Sequence, residues 1–116
     1  PSCSEEEARR LLTFVIVGGG PTSVEFAGEL HDFVKKDVLR WFPDLHSHVT
    51  VTLVEAGAHL LGNFNSQIVD YTETLFKKRQ VDVLTGVSVK VVHEDVAHLS
   101  NGIELPFGLM VWSTGV

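Results

Sequence analysis

Cysteine is almost absent from this sequence, since Cys3 is the only one. A single cysteine excludes both an internal disulfide framework and a zinc site built from several cysteines. Basic residues are also few, with 9 lysines and arginines against 15 aspartates and glutamates and a formal net charge of −6. Because nucleic-acid backbones are bound by cationic surfaces, this balance argues against a nucleic-acid partner.

Long hydrophobic runs are missing as well. The longest candidate, Leu11–Val17, stops at three glycines and is far shorter than the roughly 18 residues that span a bilayer. The 116 residues are 44% hydrophobic and 21% charged, which is typical of one globular domain. The chain begins at Pro1 and ends at Val116 within a strand-like pattern, so we expect residues 1–116 to be one domain of a longer protein.

Alternating strand-like and helix-like patterns predict an α/β fold. Short β-branched runs are separated by stretches in which apolar residues recur every three or four positions. Near the end the period changes to two, and an Asn-Gly pair indicates a hairpin. The predicted elements are helix Glu5–Leu12, strand Thr13–Val17, a helix from Thr22 to Pro43, a loop at Asp44–His48, strand Val49–Val54, a helix from Ser66 to Arg79, strand Val81–Leu84, an antiparallel meander from Val87 to Leu105 and strand Leu109–Trp112. We therefore expect a parallel sheet with helices and an inserted antiparallel meander.

A glycine-rich turn follows the first strand and opens the first long helix. Gly18-x-Gly20-x-x-Ser23 occupies the place of a dinucleotide-binding fingerprint, which predicts a Rossmann-like domain. Gly18 would permit the tight turn, Gly20 would let the backbone approach a pyrophosphate, and the helix N-terminus would present free amides. Ser23 departs from the usual Gly or Ala. We expect it to be tolerated, either at a cost near 1 kcal/mol or with a new hydrogen bond to the phosphates.

An acid at the end of the second strand completes the fingerprint. Glu55 follows Gly18 by more than the usual spacing of about 20 residues, because a long helix and a loop intervene. Its carboxylate could accept hydrogen bonds from both adenosine-ribose hydroxyls and would repel a 2′-phosphate, which favours NAD(H) over NADP(H). Two alternatives remain open. One is that the glycines serve only a turn with positive φ angles. The other is an adenosylmethionine site, although methyltransferases usually carry an acid where this chain has Val17.

The segments Phe14–Leu30, Leu53–Ala56 and Val111–Val116 resemble the NAD-binding domain of type II NADH dehydrogenases. These enzymes are non-proton-pumping NADH:quinone oxidoreductases of the pyridine nucleotide–disulfide oxidoreductase-like flavoproteins. The resemblance runs from about Ser4 to Val116 and is strongest to the eukaryotic mitochondrial branch. It implies a parent enzyme at the mitochondrial inner membrane that passes hydride from NADH to FAD and electrons to a quinone.

The resemblance also implies a set of nucleotide contacts. Pro21, Thr22 and Ser23 would join the glycines at the pyrophosphate, Glu25 would lie near the nicotinamide, and Val89 would touch adenine. The complete set of expected cofactor-binding residues is Gly18, Gly19, Gly20, Pro21, Thr22, Ser23, Glu25, Glu55, Ala56, Val89, Thr114 and Gly115. The FAD-binding halves, the quinone site and the membrane contact would lie in segments outside this chain, so we expect a soluble piece that does not turn over alone. No catalytic residue is expected within it.

Several residues also have simpler interpretations. An acid in the first turn of a helix, such as Glu25, commonly does no more than complement the helix dipole, and Trp112 fits a core or interface better than cofactor stacking. The pair His46 and His48 gives little support for a metal site. Four aromatic residues could face the FAD domain, namely Phe26, Phe33, Trp41 and Phe42. The alternatives for the function are another flavoprotein of the group, such as a disulfide reductase, a sulfide:quinone reductase or an apoptosis-inducing-factor relative, and a non-catalytic NAD-binding or interaction module.

Overall fold

The computed structural model describes residues 4–62 and 64–113, apart from the side chain of His46. Its elements are α1 (Glu5–Leu11), β1 (Thr13–Val17), α2 (Pro21–Trp41), a 3-10 helix (Pro43–His48), β2 (Thr50–Glu55), α3 (Ser66–Arg79), β3 (Asp82–Thr85), β4 (Val89–Val92), β5 (Val96–Leu99), β6 (Glu104–Pro106) and β7 (Leu109–Trp112). This order matches the predicted alternation of strands and helices, followed by a meander and a last strand.

Two sheets form the framework. The first has four strands in the order β3-β2-β1-β7, and every neighbouring pair is parallel. The second has three antiparallel strands in the order β4-β5-β6. The predicted parallel sheet with an inserted antiparallel meander is therefore confirmed. The arrangement places the carboxyl ends of β1 and β2 side by side, where ligands of open parallel sheets bind.

The parallel sheet is buried on both faces, because its strands alternate between two apolar clusters. Ile16 and Leu53 point to one side, where they pack with Ala27 of α2 and Phe76 of α3. Val15, Val17 and Val54 point to the other side, where the meander covers them through residues such as Ala97, Leu99 and Phe107. Coverage by helices on one face and by the meander on the other explains why the strands are continuous apolar runs.

Helices α1 and α3 begin at a residue whose side chain caps them. The Ser4 hydroxyl accepts a hydrogen bond from the amide of Glu7 at 3.1 Å, and the Asn65 side chain accepts one from the amide of Ile68 at 3.0 Å. The second helix is different. It begins after Gly20, which has no side chain to cap it, with Pro21 in its first turn. The amides at this helix start are therefore not used by a capping side chain.

Some boundaries differ from the prediction. The predicted loop at Asp44–His48 is part of a 3-10 helix, Pro43–His48, because proline presets the required φ angle and the amide of Leu45 bonds the carbonyl of Phe42 at 2.9 Å. The second strand is shifted by one residue, so Glu55 is its last residue. No helix among the described residues is long and apolar enough to cross a bilayer.

Candidate functional site

The turn after β1 requires glycine at its first position. Gly18 has a φ of +121°, and a Cβ atom there would lie 2.9 Å from the carbonyl oxygen of Ser113. Its amide donates to the carbonyl of Val54 at 2.8 Å, which holds the turn against the end of β2. Both the backbone angle and the close approach exclude other residues, so Gly18 has the conformational role that the sequence predicts.

Gly20 lies in a different environment. Its φ of −78° and ψ of 177° are accessible to any residue, and a Cβ atom there would meet nothing within 4 Å. The fold therefore does not require glycine at this position. What the missing side chain provides is open space directly in front of the start of α2.

The start of α2 carries the positive end of a helix of 21 residues. Its first helical bond runs from the amide of Val24 to the carbonyl of Gly20 at 3.0 Å. The amides of Thr22 and Ser23 precede that bond, and Pro21 has no amide hydrogen to donate. Together with the helix dipole, these amides form an arrangement that favours an anion.

The carboxylate of Glu55 joins two loops at this edge of the sheet. The amide of Gly19 donates to its Oε1 at 2.6 Å, and the amide of Gly57 donates to its Oε2. Each carboxylate oxygen has a further lone pair, so both can still accept a hydroxyl hydrogen. Glu55 thus both holds the glycine turn and remains an acceptor for a ligand. The sequence predicted the acceptor but not the contact with the turn.

Ser23 is completely buried at the third fingerprint position. Its hydroxyl donates to the carbonyl of Ser113 at 3.1 Å, just beyond the end of β7. A hydroxyl has one hydrogen, and the structure uses it within the protein. It therefore does not support the expectation that Ser23 donates a hydrogen bond to the phosphates. Ala27, one turn further along, is fully buried as well, consistent with the close packing of α2 on the sheet.

The carboxyl-end cleft, as we call the space at this edge, has a volume of about 420 Å³. The residues that line it are Gly19, Gly20, Glu55, Gly57, Ala58, His59 and Gly62. Sequence reasoning identified the first three of these as site residues and missed the others. His59 lies in a loop without periodicity, and no motif in the sequence marks it.

None of the other predicted site residues that the structure describes is among the residues lining this cleft. Pro21, Thr22 and Glu25 are exposed at the start of α2, and Ala56 is exposed beyond β2. Val89 is half-buried at the start of β4. The segment that leads to Val89 is bonded to the loop after β2. The amide of Gly86 donates to the carbonyl of Gly57 at 2.7 Å, and the amide of Val87 donates to the carbonyl of Glu55 at 3.2 Å. Thr114 and Gly115 lie outside the described residues.

The cleft at the opposite edge of the sheet is larger, about 680 Å³, and we call it the amino-end cleft. It is lined by charged side chains of α1, among them Glu7, Arg9 and Arg10. These charges are already paired within the protein. Arg10 bonds the carboxylate of Glu7 and the carbonyl of Phe107, and the bond to Glu7 raises the pKa of the guanidinium. Arg9 pairs with Glu5 at 3.1 Å.

The aromatic residues that were expected at a domain interface are at the surface. Phe26, Phe33, Trp41 and Phe42 are all exposed, by 39 to 66%. Trp112 is 56% exposed and so is not a core residue of this chain. Among the residues that the structure describes, no group of three or more histidine, cysteine or acidic side chains could hold a metal ion.

Comparison with known sequences gives one consistent result. A family model described as pyridine nucleotide-disulphide oxidoreductase matches residues 3–116. The chain is 44% identical over its whole length to the external alternative NAD(P)H-ubiquinone oxidoreductase B2 of Arabidopsis thaliana mitochondria. It is 41% identical over 97% of its length to the mitochondrial external NADH-ubiquinone oxidoreductase 2 of Saccharomyces cerevisiae. It spans 21% of the length of each relative.

Comparison with solved structures agrees. NDH2 of Plasmodium falciparum, solved in complex with NADH, superposes with a TM-score of 0.94 over 99% of this chain and 25% of its own, at 33% identity. A ferredoxin reductase from Rhodopseudomonas palustris superposes with a TM-score of 0.69 at 18% identity over 95% of this chain and 25% of its own. The second likeness shows the shared fold only.

Proposed function

The chain belongs to the pyridine nucleotide-disulphide oxidoreductase family, and from that premise we propose that it is the NAD(H)-binding domain of a type II NADH dehydrogenase. The observation that carries the proposal is the carboxyl-end cleft, in which the start of α2 and the carboxylate of Glu55 meet at the glycine turn. An anion-binding helix start beside an acceptor for sugar hydroxyls is the pair of groups that a dinucleotide requires.

In this proposal the backbone binds the charged centre of the nucleotide. The amides of Thr22 and Ser23 donate to the diphosphate, and the open space at Gly20 lets the phosphates approach them. Because these amides belong to a helix and a turn fixed by Gly18, they need little rearrangement when the ligand binds.

Side chains select the nucleotide at its adenosine end. Glu55 accepts the ribose hydroxyls through the lone pairs that Gly19 and Gly57 leave free, and Val89 contacts adenine. The same carboxylate disfavours a 2′-phosphate, because two negative charges about 4 Å apart repel by up to about 4 kcal/mol at an effective dielectric near 20. We propose NADH as the preferred ligand. The plant relative is named for NAD(P)H and the yeast relative for NADH.

The nicotinamide end lies toward residues assigned by resemblance alone. Glu25, Thr114 and Gly115 would position the ring next to the flavin of the parent enzyme. Bound FAD would accept the hydride and allow electrons to pass to a quinone. In our proposal NAD(H) takes the glycine turn after β1, so FAD would be held by other parts of the parent protein.

The relatives support a proposal for the location and activity of the parent. The relatives are mitochondrial enzymes about five times longer than this chain, and we propose a mitochondrial enzyme that reduces quinone. We expect the 116-residue chain alone to bind NADH weakly and to lack turnover, since the partner domain would supply part of the nucleotide's surroundings. A second glycine fingerprint in the flanking sequence, without a redox-active cysteine pair, would support a quinone reductase over a disulfide reductase.

A titration with NADH tests nucleotide binding directly. We expect measurable heat by calorimetry and the largest amide shift changes in ¹⁵N NMR spectra at Gly19, Gly20 and Thr22. Residues of the amino-end cleft, such as Arg10, serve as the internal control and should not shift. Heat no greater than dilution, with no shifts in the glycine turn, would contradict the proposal and favour a module without nucleotide affinity.

A further inference from the structure

The end of β2 and the loop that follows it hold both peptide groups of Gly19. The amide of Gly19 donates to the carboxylate of Glu55 at 2.6 Å, and the carbonyl of Gly19 accepts the amide of Leu61 at 2.7 Å. The second bond fixes the plane of the peptide that joins Gly19 to Gly20. Because the carbonyl and the N–H of a trans peptide point in opposite directions, the N–H of Gly20 is turned away from Leu61.

The amide of Gly20 is an unused donor at the edge of the carboxyl-end cleft. Gly20 lines this cleft, and its N–H has no hydrogen-bond partner within residues 4–62 and 64–113. It directly precedes the first turn of α2, whose free amides are the proposed contacts of the diphosphate. The direction of the Gly20 N–H therefore decides whether the diphosphate meets one more donor, and the bond from Leu61 sets that direction.

Leu61 reaches Gly19 with an unusual backbone conformation. Its φ of +53° lies in the left-handed region, which is unfavourable for a residue with a Cβ atom. Among the described residues, one other that is not glycine has a positive φ, namely Gln80, and there the angle serves to end α3. Leu61 ends no helix. Strain of this kind is typical of residues that shape a binding site.

Contacts on both sides hold Leu61 in this conformation. Its side chain is buried, and it packs with the fully buried Leu60 in the apolar cluster that the sheet forms with α2 and α3. The amide of Leu60 donates to Oε2 of Glu73 on α3 at 3.2 Å, and the carbonyl of Leu61 accepts the amide of Phe64 at 2.8 Å. Packing in the core thus stabilises the strained residue and keeps its amide directed at the glycine turn.

We propose that Leu61 is a positioning residue for the diphosphate. Its amide turns the peptide between Gly19 and Gly20 so that the Gly20 N–H becomes a further donor beside those at the start of α2. The inference rests on the proposed function, since it assumes that the diphosphate lies there. Leu61 is not among the residues that line the cleft, so it acts through the peptide alone. Adenosine carries the ribose but no phosphate, and its binding should not depend on Leu61.

The test replaces the amide nitrogen of Leu61 by an ester oxygen, through incorporation of the α-hydroxy acid analogue of leucine. The side chain is kept, and the N–H donor is lost. The dissociation constants of NADH and ADP should rise about fivefold, because a hydrogen bond to a charged group contributes about tenfold or more and its donor is here misdirected rather than removed. The dissociation constant of adenosine, measured by NMR titration, should change by less than about twofold, since adenosine offers no charged acceptor to that donor.

The same ester at Leu45 is the matched control. It uses the same analogue and removes the bond from the amide of Leu45 to the carbonyl of Phe42, which lies in the 3-10 helix away from the cleft. We expect a lower melting temperature in both ester chains, but unchanged affinity for NADH, ADP and adenosine in the control. In ¹⁵N spectra, the shift of the Gly20 amide on addition of NADH should be smaller in the Leu61 ester and unchanged in the Leu45 ester.

Two substitutions test the same loop if the Leu61 ester does not fold. Glu73→Ala removes the acceptor of the Leu60 amide and should weaken NADH binding about threefold without affecting adenosine. Glu73→Gln keeps one oxygen acceptor and should restore most of that affinity.

The outcomes separate this inference from the proposed function. If the unmodified chain binds NADH and the Leu61 ester binds it equally well, or loses affinity for adenosine to the same extent as for NADH, the inference is wrong and the proposed function stands. The same two results in Glu73→Ala would also overturn it. If the unmodified chain binds neither NADH nor adenosine, the proposed function itself has failed.

Discussion

The two edges of the parallel sheet carry clefts of opposite character. The amino-end cleft is the larger, about 680 Å³ against about 420 Å³, and charged side chains line it. The two arginines among them are paired inside the protein, Arg10 with Glu7 and the carbonyl of Phe107, and Arg9 with Glu5. The carboxyl-end cleft is lined mostly by glycine and alanine and lies beside amides that have no intrahelical partner.

The difference shows why cleft volume alone does not identify the site. A paired guanidinium must lose its protein partner before it can bind a ligand, whereas a free helix-start amide has none to lose. The glycines at the two edges of the sheet also differ in whether the fold requires them. At the amino end, Gly108 is required because a Cβ atom would lie 2.3 Å from the carbonyl oxygen of Leu11. At the carboxyl end, Gly20 has free space around it, and we assign that space to the ligand.

The largest expected effect comes from filling that space. Gly20→Val should weaken NADH binding at least tenfold, which corresponds to about 1.4 kcal/mol, because the side chain would occupy the path of the diphosphate. The fold should survive, since the backbone angles suit any residue and a poorer helix cap costs about 1 kcal/mol. Calorimetry gives the affinity and thermal denaturation gives the stability.

Two controls accompany this variant. Gly20→Ala should lie between the unmodified chain and Gly20→Val in affinity. Arg10→Ala removes a charge from the amino-end cleft and should lower the melting temperature without changing the affinity for NADH. An unchanged affinity in Gly20→Val, or a large loss in Arg10→Ala, would reverse the assignment of the two clefts.

Removal of the charge at Glu55 should have the next largest effect. In Glu55→Gln an NH₂ group, which only donates hydrogen bonds, replaces one carboxylate oxygen. The side chain can then no longer accept the amides of both Gly19 and Gly57, and it bonds the ribose less well. Hydrogen bonds to charged groups contribute about 1.5–3 kcal/mol, so NADH affinity should fall about tenfold or more. The difference in affinity between NADH and NADPH should become smaller, because the repulsion between the Glu55 carboxylate and the 2′-phosphate disappears.

Glu29→Gln is the matched control, since it removes the same charge from an exposed position of α2. It should leave both affinities unchanged. A ratio of NADPH to NADH affinity that stays constant in Glu55→Gln would show that Glu55 does not select the nucleotide.

Replacement of the buried serine should have the smallest effect on binding. Ser23→Gly removes the bond to Ser113 and should cost about 1 kcal/mol of stability for the bond and a similar amount for glycine in a helix. Ser23→Ala should lose only the first contribution. NADH affinity should change by less than about threefold in both, because the hydroxyl hydrogen is used within the protein. Unfolding of Ser23→Gly, or a tenfold loss of affinity in both variants, would mean that this position has been wrongly interpreted.

Local signals in the sequence predicted most of the fold. The change of period at the three glycines marks the passage from β1 to α2, and the Asn101-Gly102 turn marks the meander. The sequence predicts a loop at Asp44–His48, where the structure has the 3-10 helix Pro43–His48, because a single short 3-10 helix has too few residues to show a period. The family resemblance added the domain context that local patterns do not contain.

The contacts that build the site depend on residues distant in the chain. Glu55 and Gly19 are 36 residues apart, and Ser23 and Ser113 are 90 apart. Both pairs meet because β1 lies between β2 and β7, an order that periodicity does not encode. His59 was missed for a related reason, since only the folded loop brings it to the cleft beside Glu55.

A crystal structure of the chain with NADH tests the central claim most directly. The account predicts that the diphosphate lies within hydrogen-bond distance of the amides of Thr22 and Ser23, with the adenosine ribose bonded to the carboxylate of Glu55. A nucleotide bound in the amino-end cleft, or a carboxyl-end cleft filled by protein side chains while NADH binds elsewhere, would contradict it.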